Sequence, residues 1–331
     1  MTPQTGGDPM KILITGANGF VGGYLAALLH ESGDEVSLTD LAAARATGPA
    51  VAGLDLPYSS CDLTSPERVE SLLAAASPDA IVHLAAQSSA ALSFKDPRKT
   101  FEVNVIGTLN LLEGAKRKVP EAAILLTGSS DEYGIRDRSE MPLSEDAPIE
   151  PASPYAASKA AQGTMALQYH RSFGSRVIMT RSFSHTGPGQ AGRFVLPSFA
   201  RQCADVAAGA APPVIKTGDL SVERDFLDVR DVVRAYAALL RKGKAGATYN
   251  VCSGESLRLG HALESLIAMT GVGISVETDP SLLRPVDVPV LIGDNSRLKE
   301  DTGWSRETGV DRMLGDLYEW WLDRARISAG R

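Results

Sequence analysis

Tyr155 and Lys159 are two side chains whose types and spacing suit proton transfer. Residues four apart lie one above the other on a single face of a helix. A free phenol has a pKa of roughly 10, and we expect the ammonium group of Lys159 to lower the pKa of Tyr155. Such a pair can exchange a proton with a hydroxyl or carbonyl group at ordinary pH. Because this spacing also occurs by chance in helices, other motifs must support the interpretation.

A glycine-rich turn near the N-terminus is the second motif with a chemical meaning. Gly16, Gly19 and Gly22 follow a short apolar run, and a helical pattern begins with Phe20 and Val21. The first glycine permits a tight turn, the second lets the backbone approach a pyrophosphate, and the third permits close helix packing. Free N–H groups at the start of the helix favour phosphate. This order of strand, loop and helix predicts a dinucleotide cofactor.

Two acidic residues are candidates for contacts with the adenosine half of such a cofactor. Asp40 ends the second predicted strand, where a carboxylate accepts hydrogen bonds from a ribose and repels a 2′-phosphate. We therefore expect NAD(H) to be preferred, with NADP(H) possible if Arg45 folds back over the ribose. Asp62 is placed to meet the adenine amino group. Capping of the next helix is its alternative role, although Thr64 or Ser65 is better suited to it.

Strand and helix patterns alternate through the first half of the chain. The predicted strands include 11–15, 35–39, 79–84, 122–127 and 176–181, and the predicted helices 20–32, 66–76, 98–118 and 153–173. This alternation predicts an α/β fold of the Rossmann type, a doubly wound parallel sheet covered on both faces. After 184, glycine and proline clusters indicate a smaller C-terminal substrate lobe. We expect a disordered tail at 1–10, a cofactor domain mainly over 11–183, and a lobe mainly over 184–331 with chain returns to the first domain.

The composition is typical of a globular protein without a nucleic-acid or membrane surface. The 331 residues are 44% hydrophobic and 22% charged, and the net charge is −7. The three cysteines, Cys61, Cys203 and Cys252, are odd in number and widely spaced, which does not indicate a disulfide framework or a metal site. No apolar run approaches the ~18 residues that span a bilayer, and the first residues lack the apolar core of a signal peptide. We expect a cytoplasmic protein that holds no metal.

Five motifs together resemble the extended short-chain dehydrogenases/reductases, the NAD-dependent epimerase/dehydratase family. They are TGANGFVGG (15–23), HLAAQSS (83–89), NVIGTLNLLE (104–113), GSSDEYG (128–134) and SPYAASK (153–159). Later motifs are similar to those of GDP-6-deoxy-D-mannose reductases, namely RSFSHTGPGQ (181–190), VERDFLDVRDVV (222–233), YNVCSG (249–254), LRPVDVPVLIGD (283–294) and GW (303–304). The GDP-mannose 4,6-dehydratases share a similar frame.

The resemblance implies reduction of the C4 ketone of GDP-4-dehydro-6-deoxy-D-mannose to GDP-6-deoxy-D-mannose (GDP-D-rhamnose) with NAD(P)H. In this assignment Ser129 binds the C4 oxygen, Tyr155 is the general acid, and Lys159 binds the nicotinamide ribose. Further cofactor contacts are implied for Leu63, Leu84, Ala85, Ala86, Gln87 and His185. Substrate contacts are implied for Ser88, Ser129, Asp131, Ser184, Arg224 and Arg284.

Several of these assignments have alternatives. His185 can be a structural histidine, and either arginine can be a surface ion-pair partner instead of a phosphate ligand. Ser184 stands where related enzymes usually have Asn. The resemblance also implies a homodimer that pairs the 98–118 and 153–173 helices with those of a second subunit.

Dehydratase and epimerase activities remain open alternatives, and a non-catalytic NAD-binding sensor is a remote one. A GDP-mannose dehydratase needs a Glu two residues after its catalytic Ser or Thr, where this chain has Asp131. Aspartate is one methylene shorter, and a misplacement of about 1 Å can cost on the order of 100-fold in rate. The next residue, Glu132, should point to the opposite face if the segment is extended. A nucleotide-sugar 4-epimerase needs no such carboxylate.

Overall fold

The computed structural model describes residues 8–45, 49–51, 53–283 and 288–330. Its strands are β1 (Lys11–Thr15), β2 (Glu35–Asp40), β3 (Tyr58–Ser60), β4 (Ala80–His83), β5 (Ala123–Ser129), β6 (Arg176–Ser182), β7 (Ser184–Thr186), β8 (Val214–Thr217), β9 (Glu223–Arg224), β10 (Phe226–Asp228), β11 (Thr248–Val251), β12 (Leu257–Arg258), β13 (Ser275–Thr278) and β14 (Val290–Leu291). Its helices are α1 (Phe20–Glu31), α2 (Pro66–Ala76), α3 (Ala90–Lys95), α4 (Pro97–Phe101), α5 (Gly107–Lys118), α6 (Pro154–Phe173), α7 (Val195–Ala207), α8 (Val229–Lys242), α9 (Leu259–Thr270), α10 (Ser296–Thr302) and α11 (Val310–Ser328).

A seven-stranded parallel sheet in the order β11-β6-β5-β4-β1-β2-β3 forms the centre of the molecule. Its inner strands are apolar on both faces because helices cover both, and Ile12, Leu13 and Ile14 of β1 are almost fully buried. The predicted α/β Rossmann-type fold is confirmed. All seven strands end at the same edge of the sheet, and the strand order changes direction between β1 and β4, the place where such folds bind ligands.

A second lobe packs around α7, α9 and α11. Leu196, Phe199, Leu263, Leu314 and Leu317 belong to its core, which is separate from the cores on the two faces of the sheet. The chain after residue 184 also contributes to the first domain, since β11 is an edge strand of the seven-stranded sheet and α8 packs on α1. Both elements follow residue 184 in the sequence and pack with the first domain.

In the first domain, capping residues, prolines and glycines mark the ends of the helices. The helix predicted over 66–76 is observed as α2, with a proline in its first turn. Helix α6 begins after Ser153, whose hydroxyl accepts a hydrogen bond from Ala156 N at 3.1 Å, and ends at Gly174 in the left-handed conformation. None of the helices in the described part of the chain is long and apolar enough to cross a membrane.

Two expectations need adjustment. The helix predicted over 98–118 is divided into α4, a π-helical turn at Glu102–Ile106, and α5. Of the tail predicted over 1–10, residues 1–7 lie outside the described residues. Met10 is tied to the sheet, because its N–H donates to Asp34 Oδ1 at 3.0 Å and its carbonyl accepts from Glu35 N at 2.9 Å.

Candidate active site

The glycine turn after β1 is shaped by close backbone contacts. Gly16 has a φ of +71°, and a Cβ there would lie 2.5 Å from Ala85 N. A Cβ at Gly22 would lie 2.6 Å from Ala17 O. The turn therefore excludes side chains at both positions, as the cofactor prediction requires. Gly19 caps α1 without a side-chain hydrogen bond, and the first turn, which holds Phe20 and Val21, carries no acidic residue. These N–H groups can receive an anion.

Asp40 lies beside this turn. Its Oδ2 accepts a hydrogen bond from Asn18 N at 3.0 Å, and its Oδ1 accepts one from Leu41 N at 2.7 Å. Arg45 does not fold back over this carboxylate. Its guanidinium donates to the carbonyl oxygens of Leu54, at 2.7 Å, and Val51, at 3.2 Å. The cation that would favour a 2′-phosphate is thus bonded within its own loop.

Asp62 and Leu63 follow β3 at the same edge of the sheet. The Oδ1 atom of Asp62 accepts hydrogen bonds from the N–H of Thr64 at 2.9 Å and from its hydroxyl at 2.7 Å. These bonds hold the pKa of Asp62 below its usual value. Ser65 occupies the N-cap position of α2, so Asp62 does not cap that helix. Leu63 is partly buried, and its carbonyl accepts a hydrogen bond from Asn110 Nδ2 at 2.9 Å.

Leu84, Ala85 and Ala86 lie in the loop after β4, and the backbone of Leu84 and Ala85 packs against Gly16. Leu84 N donates to Thr15 O at 3.1 Å, which continues the pairing of β4 with β1. The amide side chain of Gln87 is used within this loop, since its nitrogen donates to Ser89 O at 3.1 Å and to Thr100 Oγ1 at 3.0 Å. Gln87 therefore shapes the loop.

Ser129 ends β5 and stands at the start of a short 3₁₀ helix, Ser130–Tyr133. Its hydroxyl accepts a hydrogen bond from Asp131 N at 3.2 Å. Glu132 is buried and its Oε1 accepts a hydrogen bond from Ser129 N at 2.8 Å. The expectation for Glu132 assumed an extended segment, which is wrong, because the chain turns here. Asp131 is exposed, while Glu132 points inward as the partner of Ser129 in a capping box.

Tyr155 and Lys159 lie one turn apart on α6, and the Tyr155 hydroxyl lies close to the Ser129 side chain. Burial raises the pKa of Tyr155 above its usual value, and the charge of Asp131 adds to this rise. The expected lowering of this pKa by Lys159 is therefore wrong for the protein alone, since desolvation of the phenolate dominates. Burial also lowers the pKa of Lys159 to about 8. Its Nζ donates to Thr127 O at 2.8 Å.

His185 lies on β7 beside the start of α1, where its ring is stacked on Phe20 with centroids 6.4 Å apart. Its Nδ1 is bonded to Phe183 O at 2.9 Å, so Nδ1 carries the proton and Nε2 is an acceptor. Burial lowers the pKa of His185, which favours the neutral ring. Ser184 precedes it on β7 and is partly buried, opposite Phe226 of β10.

The remaining substrate candidates are more scattered. Ser88 is exposed in the loop after β4. Arg224 is on β9, within a small sheet formed with β12 and β14, and donates to Glu223 O at 2.8 Å. Arg284 lies outside the described residues. The described part of the chain has no group of three or more His, Cys, Asp or Glu side chains arranged for a metal ion.

Asn104 is a functional candidate that we did not single out from the sequence. It is fully buried in the π-helical turn, and its Oδ1 accepts a hydrogen bond from Gln87 N at 2.8 Å. Its Nδ2 donates to Ser158 Oγ at 2.9 Å, and Ser158 Oγ donates to Tyr155 O at 2.7 Å. Asn104 thus connects the loop after β4 to helix α6. A polar residue among apolar positions in NVIGTLNLLE was the available signal.

Gly16→Ala should abolish the glycine turn. The substitution places a Cβ against the Ala85 backbone at a positive φ, so either the turn or the loop after β4 must move. We expect loss of dinucleotide binding together with a lower melting temperature, measured by NADH fluorescence titration and thermal unfolding.

Gly33→Ala is the matched control. Gly33 also has a positive φ, +91°, but a Cβ there meets nothing within 4 Å. This variant should lose only about 1 kcal/mol of stability and keep its affinity for NADH. Equal NADH affinities of the two variants would contradict the role given to Gly16.

Comparisons with known proteins agree with this site. The family model described as GDP-mannose 4,6 dehydratase matches residues 13–317. GDP-6-deoxy-D-mannose reductase of Pseudomonas aeruginosa is 36% identical over 96% of this chain and 98% of its own. A solved structure of RMD from Pseudomonas aeruginosa, complexed with NADPH, has a TM-score of 0.81 and 33% identity, and the match covers 95% of this chain and 99% of the other.

A more distant structure has a similar fold. UDP-glucose 4-epimerase of Thermus thermophilus, complexed with NAD, has a TM-score of 0.83 and 28% identity, over 94% of this chain and 98% of the other. The match of the family model over most of the chain confirms the resemblance drawn from the motifs. This chain belongs to the GDP-mannose 4,6-dehydratase family of extended short-chain dehydrogenases/reductases.

Proposed function

We propose that this chain is a GDP-6-deoxy-D-mannose reductase, which reduces the C4 ketone of GDP-4-dehydro-6-deoxy-D-mannose with NAD(P)H. The observation that carries the proposal is Tyr155, a phenol that burial keeps protonated and that lies close to Ser129. Ketone reduction needs a proton donor of this kind at the substrate oxygen. The similarity to the Pseudomonas aeruginosa reductase over nearly the full length of both chains supports the choice of substrate.

The reaction converts the C4 carbonyl into an alcohol. When bound, a reduced nicotinamide supplies the hydride that adds to C4. The Tyr155 phenol donates its proton to the carbonyl oxygen, and the Ser129 hydroxyl donates a hydrogen bond to the same oxygen. The ammonium group of Lys159, held by Thr127 O, stabilises the phenolate that remains.

The chain's own groups suit the dinucleotide. Gly16 and Gly22 leave no room for side chains, so backbone can approach a pyrophosphate closely. The N–H groups at the start of α1 have no side-chain cap and no acidic neighbour in the first turn, so they suit the pyrophosphate charge. His185 Nε2 and the Lys159 ammonium group can bind the nicotinamide riboside.

The position of Glu132 argues against a dehydratase. Dehydration must remove a proton from C5, and in the GDP-mannose dehydratases a Glu at the position of Asp131 does so. Here that position holds the shorter side chain. Glu132 cannot replace it, because its two carboxylate oxygens accept hydrogen bonds from Ser129 N and Arg181 Nε inside the protein.

NADH is the proposed preferred cofactor. The Asp40 carboxylate lies beside the glycine turn and would repel a 2′-phosphate, while the Arg45 guanidinium is bonded to Leu54 and Val51. The complex of RMD with NADPH indicates that NADPH also fits within this family. We therefore propose NAD(H) as preferred and NADP(H) as an alternative.

The deciding experiment supplies purified protein with GDP-4-dehydro-6-deoxy-D-mannose and either NADH or NADPH, and follows loss of the reduced nicotinamide. We expect rapid oxidation, a higher kcat/KM with NADH, and GDP-6-deoxy-D-mannose as the product by NMR. A higher kcat/KM with NADPH would overturn the interpretation of Asp40 alone. No oxidation by protein that binds NADH would reject the reductase, and GDP-mannose would become the next substrate to test.

Tyr155→Phe should lower kcat by about 10²- to 10⁴-fold, the usual contribution of a general acid, because the substrate oxygen loses its proton donor. NADH affinity should change little. Tyr318→Phe is the matched control, since Tyr318 is buried in the second lobe. Near-native turnover by Tyr155→Phe would remove Tyr155 from the catalytic role.

A homodimer is the proposed assembly. The two helical segments expected at its interface expose Phe101 (38%), Ile106 (45%) and Phe173 (53%), which a second subunit would cover. Ile106→Glu should therefore give a monomer by light scattering, whereas Ile327→Glu, at an exposed residue near the end of α11, should not. A wild-type protein that is monomeric at micromolar concentration would remove this proposal.

The cytoplasm is the proposed location. The three cysteines are free and buried, so the fold uses them as thiols. A reducing compartment keeps thiols in that state.

A further inference from the structure

Glu132 is a buried carboxylate at the centre of the active-site loop, and the reaction described above does not use it. It is 3% exposed, and each of its oxygens has a partner. Oε1 accepts from Ser129 N at 2.8 Å, and Oε2 accepts from Arg181 Nε at 3.3 Å. Burying a carboxylate is costly unless it is paired. This cost indicates that the buried carboxylate of Glu132 has a role other than packing.

The carboxylate has little freedom to move. A Cβ at Gly128 would clash with Oε1, so the glycine leaves the space that the carboxylate fills. From the other side, Arg181 Nη1 donates to Tyr133 OH at 3.1 Å and to Glu145 O at 2.8 Å. These contacts fix the guanidinium, and the guanidinium in turn fixes Glu132.

The network continues to Asn250 of β11 and to the segments around 143–145 and 294. Tyr133 OH donates to Asn250 Oδ1 at 2.7 Å, and Asn250 N donates to Glu145 Oε1 at 2.8 Å. The amide of Asn250 also donates to Leu143 O at 2.8 Å and to Asp294 O at 3.2 Å. The Ser129 loop is thus held by β6, β11 and the segments around 143–145 and 294.

Charge is the second contribution of Glu132. The charged and titratable groups that interact with it are Arg181 from β6 and Lys159 and Tyr155 from α6. Burial disfavours the ammonium form of Lys159, and the negative charge of Glu132 opposes that effect by raising the pKa of Lys159. Removing the charge should therefore lower the pKa of Lys159 below about 8.

We propose that Glu132 is a positioning residue for ketone reduction. Its carboxylate, fixed by Arg181, holds Ser129 in place through the Ser129 N–H and places a negative charge beside the helix that carries Lys159. The inference rests on the proposed function, because it assigns the effect to the same hydride-transfer site. The charge and the hydrogen bond can be separated by two substitutions at this one position.

Glu132→Gln keeps an oxygen that can accept from Ser129 N but removes the charge. The proposed mechanism needs the ammonium form of Lys159, so we expect kcat/KM to fall as pH rises through the pKa of this group, about 8 in the wild type. We expect this basic limb to move to lower pH in Glu132→Gln. The KM for the sugar at pH 7 should be nearly unchanged.

Glu132→Asp keeps the charge but is one methylene shorter and cannot hold Ser129 N in the same place. We expect kcat to fall by about 10- to 100-fold, as for a misplacement of about 1 Å, while the basic limb stays near its wild-type position. This variant carries the test by itself if Glu132→Gln does not fold.

Glu145→Gln is the matched control. Glu145 is also buried, belongs to the same network and is paired with Arg297 at 3.6 Å, but it does not touch Ser129. It should lower the melting temperature without moving the basic limb. If all three variants lose stability equally and share the wild-type kcat and pH profile, Glu132 is structural and the proposal fails.

One measurement separates this inference from the proposed function. Titration of Lys159 by NMR in lysine-labelled protein needs no substrate. If the wild type does not reduce the GDP-linked ketone, the proposed function fails, yet a lower pKa of Lys159 in Glu132→Gln would still support the electrostatic role. An unchanged pKa of Lys159 would overturn that role even in an active reductase.

Discussion

A parallel sheet buried on both faces is the constraint from which the site follows. All seven strands must run in the same direction, so their carboxyl ends meet at one edge, and each strand continues there into a loop. The glycine turn, the loop after β4, and Ser129 at the end of β5 come together for this reason alone. Segments that are distant in the sequence thus meet at the ends of adjacent strands.

Desolvation at that edge sets the protonation states. It keeps Tyr155 in the phenol form, favours the neutral ring of His185, and lowers the pKa of Lys159. In water, a tyrosine has a lower pKa than Tyr155 has here, and a lysine and a histidine have higher pKa values than Lys159 and His185. The protein opposes the cost for Lys159 with the carboxylate of Glu132 and the carbonyl of Thr127. The chemistry therefore depends on buried polar groups that are paired within the protein.

Two sets of polar contacts hold helix α6 and the Ser129 loop in the site. Asn104 joins helix α6 to the loop after β4 through Ser158, and it does so from a π-helical turn that interrupts an otherwise regular helix. The Glu132–Arg181 pair holds the Ser129 loop beside Tyr155 from the other side. Local irregularities such as the π-helical turn cost stability in isolation and are common at functional sites.

Short-range features of the sequence determined many of the strands, turns and helix boundaries of this protein. The strand–glycine–helix order, the α2 boundaries at Pro66–Ala76, and the spacing of Tyr155 and Lys159 all follow from near neighbours in the chain, because turns, caps and helical faces are short-range properties. The motifs extended this to the family and to the candidate residues. These features could be predicted because each depends on a few consecutive side chains.

Tertiary structure alone decided the rest. The direction of Glu132, the raised pKa of Tyr155, the π-helical turn that carries Asn104, and the return of β11 to the first sheet all depend on groups distant in sequence. The hydrogen-bond partner of Arg45 could not be predicted from the sequence either, because it depends on how the loop that contains Arg45 folds. Burial and pairing arise only when separate segments pack together, and a local pattern contains no information about which segments those will be.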